Sequence, residues 1–92
     1  MTPIERLYHG SRTLPPKLQA MIARYIEGAD EGRDAVKLFQ NGARLLNDMF
    51  KRADAGDKEA LEAMRRDRID GFAIVIAAEL FASAALALER GR

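Results

Sequence analysis

The sequence predicts an all-α fold: a small domain of four helices whose last helix is long and very apolar. Strand signals are absent, because β-branched residues do not alternate with polar ones. Helix start and stop residues recur along the 92 residues, and apolar residues between them follow the spacing of a helix face. The predicted helices cover residues 3–9, 15–27, 31–55 and 58–90 of one domain.

The first two helices are predicted from their end signals. Residues 2–5, Thr-Pro-Ile-Glu, form a capping box with proline at the first helical position, and Gly10 ends the short helix. Pro15-Pro16 opens the second helix and Gly28 closes it. Residues 10–16 connect the two helices and are stiffened by their prolines. We interpret them as a simple connector; the alternative is a segment that docks a partner.

The third helix, 31–55, has an apolar face covering about half its circumference, and Gly56 follows as its stop. A face this wide is typical of a helix that packs between two neighbours or also meets a second subunit. The opposite face is polar and carries the basic residues Lys37, Arg44 and Lys51.

The fourth helix begins after the cap Asp57 and meets no strong stop before Gly91. The simplest interpretation is one helix of about 33 residues, roughly 50 Å long at 1.5 Å per residue. Gly71 is the position at which this helix could kink or divide.

The most informative segment is the apolar run 72–88, which only Glu79 and Ser83 interrupt. A helix that is apolar all round must be buried in protein or in lipid. Its large apolar side chains favour membrane insertion by about 4 kcal/mol, whereas Glu79 opposes it by about 3 kcal/mol. Because insertion is marginal and the second and third helices need an apolar partner, we expect burial in protein rather than a membrane anchor.

A helical wheel divides this run into three sides. The first two are apolar seams, which exceed what one small subunit needs, so we expect an isologous homodimer through this helix. The predicted oligomer-interface residues are Ile74, Ala78, Phe81, Ala85 and Leu88 on one seam, and Ala77 and Ala84 on the other.

The third side carries Glu79 and Ser83, in line with Phe72 and Arg90. We predict Glu79 and Ser83 as buried polar residues. Glu79 would then pair with an arginine across the dimer, such as Arg68 or Arg90; the alternative is a solvated edge beside Ser83.

Composition weighs against several classes of function. The chain has no cysteine and one histidine, His9, so we expect no metal site, no cofactor and no catalytic residues. The net charge of +1 gives no bulk attraction to nucleic acid. The N-terminus lacks the apolar core of a signal peptide, so we expect a cytoplasmic protein.

Two basic sets are the candidate partner-binding residues. One is Arg65, Arg66 and Arg68; the other is Lys37, Arg44 and Lys51. Acidic residues are interspersed, which favours a solvated mixed-charge face, but arginine is also common where proteins bind acidic partners. We therefore predict a non-enzymatic interaction protein, a regulator, inhibitor or adaptor that binds a protein partner. The alternatives are a nucleic-acid-binding regulator that uses these basic faces and a small membrane protein anchored by 72–88.

Overall fold

A computed structural model describes residues 2–30 and 32–91, and within them the fold is all-α, as predicted. It contains five helices rather than four. In chain order they are α1 (Pro3–Ser11), α2 (Pro16–Glu27), α3 (Arg33–Asp54), α4 (Lys58–Arg66) and α5 (Gly71–Arg90). The predicted start of the third helix, Glu31, lies outside the described residues.

The segment predicted as one helix over 58–90, with a possible break near Gly71, is divided, because the chain turns between α4 and α5 just before Gly71. Arg68 adopts a left-handed backbone with φ 56°, and the Ile69 N–H donates to the Met64 carbonyl at 2.8 Å. The Asp70 carboxylate then accepts the Ala73 N–H at 2.7 Å and caps α5. A left-handed residue after a helix is usually glycine, so an arginine there leaves no signal in the sequence.

Helix α1 continues through Gly10, which was predicted to end it. Gly10 instead permits a close approach to α5, since a Cβ added there would lie 2.6 Å from Leu80 Cδ2. The first helix ends one residue later, at Ser11, whose buried hydroxyl donates to the Tyr8 carbonyl at 2.8 Å.

Helix α5 is the central element, and it packs chiefly against α3 and next against α1. The fully buried Phe81 is the centre of this contact. Its ring lies 6.0 Å from that of Phe39 on α3 and 5.0 Å, edge-on, from that of Tyr25 on α2. Gly42 lets α3 approach the same ring. The core therefore lies between α5 and the three helices that pack against it, α1, α2 and α3.

Candidate interaction surface

The two apolar seams of α5 are buried within a single chain. Six of the seven predicted interface residues are buried and Leu88 is half-buried; the six are Ile74, Ala77, Ala78, Phe81, Ala84 and Ala85. Because α1 and α3 cover both seams, the premise that they exceed the needs of one subunit is wrong. These residues are core residues in this conformation, and a dimer stays a prediction that requires another face.

The third side of α5 faces solvent, and we name it the outer stripe. Glu79 and Ser83 are both exposed in the single chain, so its own helices do not provide the burial predicted for them, and burial in an assembly stays a prediction. Phe72 is 75% exposed and Leu86 is 48% exposed, so apolar side chains lie at both ends of the stripe. No described helix packs over this side, which is why its polar residues remain solvated. The outer stripe consists of Phe72, Ile76, Glu79, Ser83, Leu86 and Arg90.

Helix α5 also has the length and composition of a membrane-crossing helix. Its most apolar 18-residue window has a mean hydropathy of 2.1, and 39% of that window is buried. A core helix of a soluble protein meets the same criterion, so this property does not separate the two cases. The membrane anchor therefore stays a prediction.

A groove lies between the connector 13–16 and the start of α5, and we name it the connector groove. Its volume is about 520 Å³. The Gln19 side-chain amide donates to the Leu14 carbonyl at 2.6 Å and to the Arg12 carbonyl at 3.3 Å, which holds the connector in place. The groove is lined by Thr13, Leu14, Pro15, Pro16, Arg68, Asp70, Phe72, Ala73 and Ile76.

All six predicted partner-binding residues are exposed, but only Arg68 lines the connector groove. The Arg66 guanidinium lies 3.6 Å from the Asp67 carboxylate. Lys37, Arg44 and Lys51 recur every seven residues along α3, with the exposed Asp48 between them. Sequence reasoning did not foresee that Arg68, the connector and Phe72 would meet, because their contact depends on the turn between α4 and α5.

A hydrogen-bonded ion pair between Arg52 and Asp57 lies at the α3–α4 junction, away from the groove. Arg52 Nε donates to the Asp57 carboxylate at 2.9 Å, which lowers the pKa of Asp57 and raises that of Arg52. Asp57 also accepts the backbone N–H groups of Glu59 and Ala60, so it caps α4. This cluster has a structural role as a helix cap.

Among residues 2–30 and 32–91, no three histidine or acidic side chains are close enough to hold a metal ion. Comparison with models of protein families gives no match, and comparisons with curated proteins and with solved structures give none. The outer stripe and the connector groove are the two candidate interaction surfaces of the described chain.

Proposed function

We propose that this protein is a small non-enzymatic interaction protein, a cytoplasmic regulator, inhibitor or adaptor that binds a protein partner in the connector groove. The observation that carries the proposal is the meeting of an exposed aromatic ring, Phe72, with an arginine, Arg68, at one groove. Aromatic residues and arginine are the residues most often responsible for binding energy between proteins.

The walls of the groove are rigid before any partner arrives. Pro15 and Pro16 restrict the connector, and the Gln19 amide ties it to α2. Arg68 lies between the last turn of α4 and the capped start of α5, so its backbone is fixed at both ends. A preformed groove loses little conformational entropy on binding, and this favours a docking role.

The chemistry of the groove indicates what a partner segment should carry. Its walls are apolar at Leu14, Pro16 and Ile76, and these fit an aliphatic or aromatic side chain. The exposed Arg68 guanidinium would bind a carboxylate beside that side chain, with paired hydrogen bonds. We therefore expect a partner segment with one large apolar residue next to an acidic one.

The test is affinity capture from host extract with the tagged full chain and three variants. Arg68→Gly removes the groove guanidinium and keeps a residue that tolerates a left-handed backbone. Phe72→Ala removes the exposed ring. Arg65→Ala is the matched control, because Arg65 is another exposed arginine of the same predicted set but lies outside the groove.

We expect the wild type and Arg65→Ala to retain the same protein, and Arg68→Gly and Phe72→Ala to retain at least tenfold less of it. Equal retention by all four chains would place the binding surface elsewhere. Recovery of no specific protein by the wild type would contradict a protein-binding function.

A further inference from the structure

We propose that a second copy of this chain covers the outer stripe, with the two α5 helices antiparallel and crossing at the level of residue 81. The proposal concerns the stripe along α5. Phe72 and Ile76 also line the connector groove, so a second copy and a groove-bound partner would compete for these two residues. The proposal itself is carried by the whole stripe, of which Glu79, Ser83, Leu86 and Arg90 lie outside the groove.

The spacing of the outer stripe has the periodicity of a helix-pairing seam. Its six residues, 72, 76, 79, 83, 86 and 90, are separated alternately by four and three positions, as in a heptad seam. The series reads identically from either end. An antiparallel second copy therefore places each stripe position opposite another, pairing 72 with 90, 76 with 86, and 79 with 83.

The side chains paired in this way are chemically complementary. Phe72 meets Arg90 of the second copy, and a guanidinium over an aromatic face is a favourable cation–π contact. Ile76 meets Leu86, which buries two apolar side chains that are otherwise partly or largely exposed. Glu79 meets Ser83, whose hydroxyl can donate to the carboxylate. Two-fold symmetry repeats each contact, so every polar residue of the stripe gains a partner.

Other ways of covering the stripe are less favourable for its two charged side chains, Glu79 and Arg90. A parallel, in-register pair places Glu79 against Glu79 and Arg90 against Arg90, and like charges in contact are unfavourable. Insertion of the stripe into lipid places the Glu79 carboxylate midway along an apolar surface with no stripe cation beside it. The antiparallel copy instead gives Glu79 a hydroxyl donor, from Ser83, and places Arg90 over the ring of Phe72.

The absence of cysteine from the chain permits a direct test of this register. Ile76→Cys and Leu86→Cys are made in separate chains, and one chain carries a tag that changes its mass. In the proposed dimer these two positions face each other, within the Cα separation of about 4.4–6.8 Å that a disulfide needs. The two copies of residue 76 are ten positions apart along the seam, roughly 15 Å at 1.5 Å per residue. The matched control is Leu45→Cys, since Leu45 is an exposed leucine on α3 outside the stripe.

We expect oxidation of an equimolar mixture of Ile76→Cys and Leu86→Cys to give the mixed disulfide as the main product. Each variant oxidised alone should give at least fivefold less disulfide-linked dimer. A mixture of Ile76→Cys and Leu45→Cys should likewise give at least fivefold less mixed disulfide. Mass spectrometry of the linked peptides identifies the products.

Preferential linkage of Ile76→Cys to itself would overturn the antiparallel register. Mixed disulfide no higher than in the Leu45→Cys control would overturn the dimer on this face. Cosedimentation of the wild type with phosphatidylcholine vesicles would assign the stripe to lipid instead. Arg68→Gly should leave the mixed disulfide unchanged, so failure of this proposal is distinguishable from failure of partner binding.

Discussion

Arg68 adopts a left-handed backbone conformation that is unfavourable for an arginine. Its φ of 56° suits glycine or asparagine, and an arginine there is strained by roughly 1–2 kcal/mol. Backbone strain of this kind is often found at functional positions, where the side chain is required despite its cost to stability. The position of Arg68 in the connector groove fits that interpretation.

Replacing Arg68 with glycine should therefore stabilise the protein. We expect Arg68→Gly to raise the free energy of unfolding by up to about 1 kcal/mol, because relief of strain outweighs the added flexibility of the unfolded chain. Urea denaturation measures the change. The control Arg65→Gly, inside α4, should lower the same free energy by about 1 kcal/mol. Equal destabilisation by both variants would contradict a strained Arg68.

Asp57 should make stability depend on pH in the acidic range. The hydrogen bond from Arg52 is the largest cause that lowers the pKa of Asp57 in the folded state. The contribution of Asp57 to the free energy of unfolding is therefore fully present above its unfolded pKa of about 3.9. The contribution is lost as pH falls through the lower folded pKa. Asp57→Asn should therefore destabilise the protein at pH 7 and have a much smaller effect at pH 2.5, as measured by urea denaturation.

The Arg52→Leu background is the control for this pH dependence. It removes the largest cause of the lowered pKa of Asp57 but keeps the backbone hydrogen bonds of the α4 cap. In that background the effect of Asp57→Asn should vary less with pH. An effect of Asp57→Asn that is equal at pH 7 and pH 2.5 in the wild-type background would contradict the proposed linkage.

At the scale of elements, the α3–α5 contact determines how α5 is buried. A Cβ added at Gly42 would lie 3.3 Å from the ring of Phe81, which is fully buried and has little room to move. Gly42→Val should lower the free energy of unfolding by about 1–3 kcal/mol through overpacking. Asn41→Val, on the exposed side of α3, should change it by about 0.5 kcal/mol. Thermal or urea unfolding measures the stability of both variants. Similar losses in the free energy of unfolding for Gly42→Val and Asn41→Val would contradict this packing.

The helix ends also define how far the sequence could predict these elements. The Thr2 and Asp57 caps form the hydrogen bonds that their patterns indicate, so α1 and α4 begin where expected. Asp70 caps α5 in the same way. The sequence therefore contained a signal for the start of α5, which the interpretation of 58–90 as one helix did not use. Arg68 could not be predicted in this role, because its left-handed conformation belongs to the turn that joins α4 to α5, which each pack on α3, and not to a local preference of arginine.

At the scale of the whole molecule, the sequence located the outer stripe but not its exposure. The wheel aligned Phe72, Glu79, Ser83 and Arg90 on one side of the helix. Whether that side faces solvent depends on where α1 and α3 pack, which is a tertiary property. The connector groove was beyond prediction for the same reason, since its walls come from segments more than fifty positions apart.

In the proposed dimer, α5 places its inner sides in the core of one chain and its outer stripe against a second copy. Light scattering in detergent-free buffer, over a range of concentrations, measures whether this dimer forms. The mass should rise from the 10.2 kDa of one chain toward 20.4 kDa, twice that value, while Leu86→Ala stays closer to 10.2 kDa. A wild-type mass of 10.2 kDa at every concentration, or a protein soluble only with detergent, would contradict the proposed dimer.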